Sequence, residues 1–236
     1  MYDIIVFGAS YAAAGIAHTH KKRCLILEAG MQGDNDFYGA LQFGSDYDRT
    51  PKNEAAVTLQ KNFLDTNVYQ RAPLIYPYLQ EADVLFGIRP VSVKKTENGF
   101  VCEAYGIEGF CTFEAKKIVD TRTGDDDIEA KTFNVLMVSD KTPNFEGVEA
   151  EKTDFEGHYV LHFPVPLSQG YKEARVMVRK AVDQFSEAQQ LIISAASFDY
   201  RLKEQIPEER DGISLLPSKA YPNPILAFDA GLEVTL

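Results

Sequence analysis

The sequence has 236 residues, of which 45% are hydrophobic and 25% charged, the composition of an ordinary globular protein of one large or two smaller domains. The net charge of −11 at pH 7 and the isoelectric point near 4.9 argue against a surface for nucleic acid or for an anionic membrane. No apolar run approaches the roughly 18 residues of a membrane span, and the amino terminus lacks the pattern of a signal peptide, so we expect a cytoplasmic protein.

The first thirty residues predict a strand, a glycine turn, a helix and a second strand. Residues 4–7 are a continuous apolar run, typical of a buried parallel strand, and Gly8 ends it. The alanine-rich residues 10–20 suit a helix that lies close to a sheet, and a second apolar run ends at Glu28. This is the order of a dinucleotide-binding βαβ unit, in which the helix amino terminus faces a pyrophosphate and an acidic residue about twenty positions later binds a ribose.

The glycine fingerprint of such units, G-x-G-x-x-G, falls on Gly8, Ser10 and Ala13. Alanine is a known variant at the third position, whereas Ser10 puts a side chain where the backbone approaches the phosphate. Its hydroxyl can itself donate to a phosphate oxygen. Glu28 suits the ribose of NAD as well as that of FAD and argues against NADP, because a carboxylate repels a 2′-phosphate.

The next hundred residues predict mixed elements. Residues 36–50 show no regular pattern, residues 51–67 predict a helix with Pro51 in its first turn, and residues 71–82 predict a short helix or an extended segment. A strand follows at residues 83–87. Residues 88–115 predict a three-stranded antiparallel meander, because Asn-Gly between apolar segments is a strong hairpin signal. Residues 116–121 then return to an apolar strand.

Cysteines and histidines give no metal-ligand spacing. A two-residue turn at Gly106-Ile107 would place Cys102 and Cys111 directly opposite each other, which allows either a redox disulfide or a reduced pair. His158 and His162 share a strand face but lie about 13 Å apart along it, so we predict no metal site.

From residue 128 the pattern is that of a separate β-rich lobe. Residues 133–139 and 159–166 predict strands, and residues 172–179 suit either a strand or a helix. Residues 181–204 predict a helix that Pro207 ends.

Residues 74–125 resemble a passage of the flavoprotein oxidoreductases of the glutathione-reductase-like superfamily, in which a strand, a β-meander and a strand ending in Ala-Thr-Gly follow the βαβ unit. The resemblance is best to FAD-dependent members whose second motif reads Ile-Asp-Ala-Thr-Gly-Asp. Residues 119–125, Val-Asp-Thr-Arg-Thr-Gly-Asp, carry one residue more. The tail at residues 222–232 resembles a late strand with a Gly-Asp-Ala motif. Family members continue with a helix aimed at the pyrophosphate, and this chain stops at Leu236, so we expect that helix to be missing.

The resemblance implies FAD as the cofactor and an α/β, Rossmann-like three-layer domain with a β-meander, built from residues 1–127 and completed by 213–236. Residues 128–212 would be an inserted β-rich substrate lobe. The residues that it places at the cofactor, with Val91 near adenine and Asp229 on the ribityl or phosphate part, are Gly8, Ser10, Tyr11, Ala12, Ala13, Glu28, Ala29, Gly33, Val91, Thr123, Gly124 and Asp229.

The expected function is that of a FAD-binding oxidoreductase acting on an unidentified small molecule. No catalytic residue is predicted, because a flavin carries the redox chemistry itself. Two alternatives stay open. One is a non-catalytic dinucleotide-binding or interaction module, favoured by Ser10, the additional residue around Arg122 and the expected loss of the last helix. The other is an NAD-binding protein.

Overall fold

The computed structural model describes residues 1–183 and 196–236. Its helices are α1 (Tyr11–His20), α2 (Glu54–Leu64), α3 (Tyr76–Leu79), α4 (Tyr171–Asp183) and α5 (Pro224–Leu232). Its strands are β1 (Tyr2–Phe7), β2 (Cys24–Glu28), β3 (Asp83–Phe86), β4 (Arg89–Thr96), β5 (Gly99–Gly106), β6 (Gly109–Asp120), β7 (Ile128–Val138), β8 (Glu149–Lys152), β9 (His158–Val165), β10 (Ala196–Leu202), β11 (Glu209–Arg210) and β12 (Ile213–Leu215).

The larger sheet has the order β11-β12-β6-β1-β2-β3, and β1 lies parallel to both of its neighbours. Ile4 and Val6 of β1 face a core that α1, α2, α3 and α5 cover. Ile5 and Phe7 face a second core under the meander β4–β6. Because both faces of β1 are covered, its sequence is apolar without alternation. The three layers are therefore helices, parallel sheet and meander, as expected.

The smaller sheet is antiparallel, with the order β10-β7-β9-β8. Phe133 and Val135 of β7 face α4, while Leu136 faces the opposite side and packs with Leu41 and Phe43. Asn134 Nδ2 donates to the Ala40 carbonyl oxygen at 2.7 Å. The loop after β2 is therefore held between the two sheets, where it can contribute to a site at their junction.

Three predictions of local structure in the first half need correction. The break at residue 116 is wrong, because β6 is one strand that pairs antiparallel with β5 and then parallel with β1. Helix α2 begins at Glu54, with Asn53 at its N-cap, and Pro51 lies before it. The hairpin turn pairs Gly106 with Gly109, so Cys102 faces Phe113 instead of Cys111, and all three cysteines are free.

The second half contains two larger corrections. Residues 172–179 belong to a helix, α4, which buries Ala174, Val178 and Val182 at a spacing of four residues. The helix predicted over residues 181–204 is wrong at residues 196–202, because they form β10 and pair with β7; residues 184–195 lie outside the described residues. A strand pairing between distant segments overrides the local helical pattern here.

The tail is a helix instead of the predicted strand. Asn223 Oδ1 accepts a hydrogen bond from the Leu226 amide at 2.9 Å and Pro224 stands at the start of α5, so the helix has a regular N-cap. The last parallel strand is β12, about ten residues earlier than predicted. The expectation that a final helix is missing is therefore wrong, because α5 follows β12.

The close contact between α1 and α5 explains why the sequence of the tail predicts a strand although it forms a helix. A Cβ added to Gly15 would overlap the Phe228 carbonyl oxygen, and one added to Gly231 would overlap the Ala12 carbonyl oxygen. Nearly every residue of α5 is buried, so its sequence is apolar on all sides and shows no helical periodicity. None of the helices in residues 1–183 and 196–236 is long and apolar enough to cross a membrane.

Candidate functional site

The turn between β1 and α1 can be made only by glycine at its first position. Gly8 has a φ of +90°, and a Cβ added to it would lie 2.8 Å from Arg122 Cγ. The Gly8 amide donates to the Leu27 carbonyl oxygen at 2.9 Å and thereby joins the turn to β2. The amino terminus of α1 consequently opens at the carboxyl edge of the parallel sheet, where ligands bind in open α/β folds.

Ser10 caps α1 and directs its hydroxyl into the protein. Its Oγ accepts a hydrogen bond from the Ala13 amide at 3.2 Å and donates to Thr121 Oγ1 at 2.8 Å. Thr121 in turn donates to the carbonyl oxygens of Phe7 and Gly8. The idea that Ser10 donates its proton to a phosphate therefore needs correction, because that proton already serves the contact between β6 and the turn.

The other first-turn amides of α1 are only partly used. The Ala12 amide donates to Ser218 Oγ at 3.0 Å, a contact that the sequence did not reveal because the two residues are 206 positions apart. The amides of Ser10 and Tyr11 have no partner in the described part of the chain. The side chain of Tyr11 belongs to the core, where its ring meets Phe63 edge-on. Two backbone donors thus point to the sheet edge.

Glu28 ends β2 as predicted and joins two loops. Oε2 accepts a hydrogen bond from the Ala9 amide at 2.8 Å, and Oε1 accepts one from the Gly30 amide at 2.6 Å. The residue is 8% exposed. Each carboxylate oxygen has a second lone pair, so Glu28 can hold these loops and still accept a hydroxyl proton from a ribose.

The loop after Glu28 folds back on the turn. A Cβ added to Gly33 would lie 2.8 Å from the Ala9 carbonyl oxygen, which also accepts the Asp34 amide at 2.8 Å. Asp34 has a φ of +57°, and its carboxylate accepts the amides of Phe37 and Tyr38. Burial raises the pKa of the Asp34 carboxyl to about 7. Ala29 is exposed at the start of this loop.

The structure adds a second acid, the half-buried Asp36, to the same loop. Burial, together with Glu28, Asp199 and Asp120 nearby, raises the pKa of Asp36 to about 7, while Lys219 acts in the opposite direction. The sequence showed only a polar loop here. The edge of the sheet therefore carries more acidic than basic groups.

Arg122 lies across the turn. It stands in residues 119–125, the motif that is one residue longer than that of the family. Its Nε and Nη2 donate to the two carboxylate oxygens of Asp120 at 2.9 and 2.7 Å. The guanidinium carbon lies 5.1 Å from the centre of the Phe7 ring. The hydrogen bonds to Asp120 raise the pKa of Arg122 above its ordinary value. The aliphatic part of this side chain covers Gly8.

Beside Arg122 there is a cavity of about 330 Å³ at the junction of β1, β4 and β6. Its lining includes Phe7, Val91, Lys95, Asp120 and Arg122. Val91, which the resemblance placed near adenine, is thus brought next to the glycine turn. We call this space the small cavity.

A larger cavity of about 730 Å³ lies between the smaller sheet and the loops at residues 42–45 and 219–222. Lys219 Nζ pairs with Asp199 Oδ1 at 2.7 Å, and His162 Nε2 lies 3.3 Å from Glu151 Oε2. All four residues line the cavity. Asp199 lies in β10, where a helix was predicted, so the sequence could not indicate this pair. We call this space the large cavity.

Three predicted site residues lie in other surroundings. Asp229 accepts hydrogen bonds from the backbone amides of Lys52 and Asn53 at 2.9 and 3.0 Å and from Asn53 Nδ2 at 2.7 Å, so it holds the segment that leads into α2. Its assignment to the flavin rested on the strand that is in fact α5. Thr123 has a buried hydroxyl without a partner in the described residues, and a Cβ on Gly124 would lie 2.6 Å from Asp127 Oδ2. Neither residue lines the small or the large cavity. Within residues 1–183 and 196–236, no group of three or more His, Cys, Asp or Glu side chains could hold a metal ion.

Comparison with known proteins gives similarity at the level of the fold. No family model and no curated protein matches the sequence. The structure is similar to the anhydrotetracycline hydroxylase OxyS from Streptomyces rimosus, with a TM-score of 0.63, 12% identity, and coverage of 91% of this chain and 55% of that one. It is similar to the p-nitrophenol 4-monooxygenase PnpA from Pseudomonas putida, with a TM-score of 0.61, 11% identity, and coverage of 98% and 76%.

A third similar structure is a ternary complex of aklavinone-11 hydroxylase with FAD and aklavinone, with a TM-score of 0.59, 12% identity, and coverage of 91% of this chain and 56% of that one. This chain therefore spans between about half and three quarters of the length of these proteins. The similarity is one of fold. It does not show that this chain belongs to the glutathione-reductase-like superfamily. This chain has the Rossmann-like α/β fold of these monooxygenases and hydroxylases, with an additional β-rich lobe.

Proposed function

We propose that this chain is a FAD-binding oxidoreductase-like protein that acts on a small molecule. The observation that carries the proposal is the position of the Gly8 turn at the carboxyl edge of the parallel sheet, with the small cavity beside it and the large cavity at the junction of the two sheets. A dinucleotide bound at this edge would have its pyrophosphate at the helix amino terminus and would extend from there toward the two cavities. FAD would supply the redox chemistry when bound.

The residues present fit the adenosine and pyrophosphate parts of FAD. Glu28 is placed for a ribose, Val91 lines the small cavity, and the free amides of Ser10 and Tyr11 are placed for a phosphate. Arg122 fills the space directly over Gly8. Because the filling atoms belong to a long flexible side chain and not to backbone, a dinucleotide can enter when that side chain turns away.

The large cavity supports a small-molecule substrate. Its volume of about 730 Å³ lies within the usual range of ligand pockets, about 300 to 1,000 Å³. The pairs Lys219–Asp199 and His162–Glu151 offer donors and acceptors at its wall. We propose that residues 128–212 form the substrate lobe, and that residues 1–127 with 213–236 form the cofactor domain.

Specific contacts favour the second candidate function, a dinucleotide-binding or interaction module without catalysis. Glu28 and Ser10 already serve contacts within the protein, and Arg122 is paired with Asp120.

The same turn could also take NAD, whose adenosine and pyrophosphate parts match those of FAD. Any catalysis by an NAD-binding protein would use the chemistry of NAD instead of that of FAD.

The test is the absorption spectrum of the purified protein, followed by titration with FAD. We expect a flavin spectrum after loading and loss of binding in Gly8→Ala, because a Cβ at a φ of +90° is strained and meets Arg122. Gly109→Ala is the matched control: Gly109 has a φ of +98°, and nothing lies within 4 Å of an added Cβ. A protein that stays colourless with FAD would contradict the flavin proposal, and NAD binding in its place would favour the alternative.

A further inference from the structure

The position of Arg122 is the feature that the fold alone does not explain. Its Cγ lies 2.8 Å and its Cδ 3.7 Å from an ideal Cβ on Gly8. The first glycine of the turn is therefore covered by a side chain of the protein itself. Arg122 follows Thr121, whose hydroxyl donates to the carbonyl oxygens of Phe7 and Gly8. These bonds fix the backbone of Arg122 relative to Gly8.

The charges around the turn indicate what Arg122 is for. A pyrophosphate carries two negative charges, and at this edge it would meet the carboxylates of Glu28 and Asp120, which both act on Arg122. Lys219 cannot offset all of these, since it is paired with Asp199 and its side chain is only 11% exposed. The free amides at the start of α1 contribute dipoles but no full charge. A phosphate therefore needs a cation at this point; Lys95 and Arg122 both line the small cavity, and Arg122 is the one that lies over Gly8.

The geometry of the Arg122–Asp120 pair suits an exchange of partners. The guanidinium already binds two oxygens of one carboxylate, which is the same forked arrangement that arginine uses for a phosphate. The Arg122 amide also donates to Asp120 Oδ1 at 3.0 Å, so the backbone keeps its place when the side chain leaves. At 43% side-chain exposure, Arg122 has room to turn toward the small cavity.

We propose that Arg122 is the pyrophosphate-binding residue of this chain, and that it leaves Asp120 and uncovers Gly8 when a phosphate enters. This inference rests on the proposed function, because it requires a dinucleotide at the turn. Asp120 then acts as a positioning residue that holds the guanidinium ready over the turn and competes with the phosphate for it.

The test compares ADP with adenosine as probes, in the 236-residue chain, by calorimetry or ligand-observed NMR. We expect Arg122→Ala to weaken ADP binding about tenfold or more and to leave adenosine binding unchanged, since a lost charge-assisted pair affects only the phosphates. Arg122→Lys should fall between the two, because it keeps the charge and loses the fork. Asp120→Asn should tighten ADP binding several-fold, because it frees the guanidinium and removes a like charge.

Arg210→Ala is the matched control. Arg210 donates to Asp127 at 2.9 Å, its side chain is 42% exposed, and it does not line the small cavity. We expect ADP binding to stay within about twofold in this variant.

Three results would overturn the inference. Tighter ADP binding in Arg122→Ala would show that the side chain only obstructs the turn, and equal weakening of ADP and adenosine would show a structural role. Unchanged ADP binding would show no role in recognition. If the unaltered protein bound neither ADP nor FAD, the proposed function itself would fail, and this outcome is distinct from the other three.

Discussion

The buried acid in the loop after β2 gives a prediction about pH. Burial raises the pKa of Asp34 to about 7 in the folded protein, from an ordinary value of 3.8. A carboxyl group whose pKa is raised stabilises the fold at low pH, and this contribution is lost as the pH rises toward the folded pKa. The pKa of Asp36, in the same loop, is also raised to about 7. The protein should therefore become less stable from mildly acidic to neutral pH.

The size of the effect follows from proton linkage. Between about pH 5 and 6.5, each of the two groups keeps a proton in the folded state that the unfolded chain has lost, which lowers the free energy of unfolding by about 1.4 kcal/mol per pH unit for each group. The pair contributes a slope of about 2.8 kcal/mol per pH unit. Asp34→Asn should reduce this to about 1.4 kcal/mol per pH unit, because only Asp36 still titrates. Asparagine tolerates the φ of +57° at this position.

The assay is urea unfolding of the protein and of Asp34→Asn at half-unit steps between about pH 5 and 8, analysed as two-state transitions. The slope is the diagnostic quantity, since the substitution also alters the hydrogen bonds to Phe37 and Tyr38 and so changes the stability at every pH. Asp48→Asn, which removes an exposed carboxylate, is the control and should leave the slope unchanged. Equal slopes in Asp34→Asn and the unaltered protein would refute the reasoning.

Three other substitutions test the packing of the site and the assignments made there. Gly231→Ala should lower the free energy of unfolding by about 2 to 3 kcal/mol in urea, because the added methyl group overlaps the Ala12 carbonyl oxygen; a neutral effect would contradict the close helix contact. Ser10→Gly should cost about 1 kcal/mol of stability through its lost hydrogen bonds and tighten FAD binding by removing a Cβ beside the phosphate; weaker FAD binding would show that the hydroxyl contributes to the site. Asp229→Ala should lower the free energy of unfolding by about 2 to 4 kcal/mol, because it leaves the donors of Asn53 unpaired, with FAD affinity unchanged; a selective loss of FAD binding would support the flavin contact instead.

Local patterns predicted the elements that local forces decide. The order of β1, α1 and β2 was readable because a strand buried on both faces is apolar throughout and because Gly8 and Glu28 mark its turn and its end. The meander was readable from Asn98-Gly99 between two apolar segments: Glu97 and Asn98 form the turn between β4 and β5, and Gly99 begins β5 opposite Thr96. Both predictions are confirmed.

Long-range contacts decided the elements that were misread. Helix α5 looks like a strand because α1 and its other neighbours bury it on nearly every side. Strand β10 looks helical because its pairing with β7, more than sixty residues earlier, is invisible in a local window. The same limit applies to the surroundings of the turn: the pattern predicts Glu28 at the end of β2, whereas the contact of Ser218 with Ala12 and the pair Lys219–Asp199 depend on tertiary structure and could not be predicted.

The contact between α1 and α5 also determines when the turn between β1 and α1 can be completed during synthesis. Helix α1 is made well before its partners in α5, yet it rests on Gly231 and donates a hydrogen bond from the Ala12 amide to Ser218 Oγ, 206 positions later. Until the ribosome has made that segment, the side of α1 that packs on α5 has no cover and its amino terminus lacks one of its partners. The amino-terminal half must therefore wait, partly exposed, for the carboxyl-terminal half, and such an interval is when a nascent chain most needs protection by a chaperone.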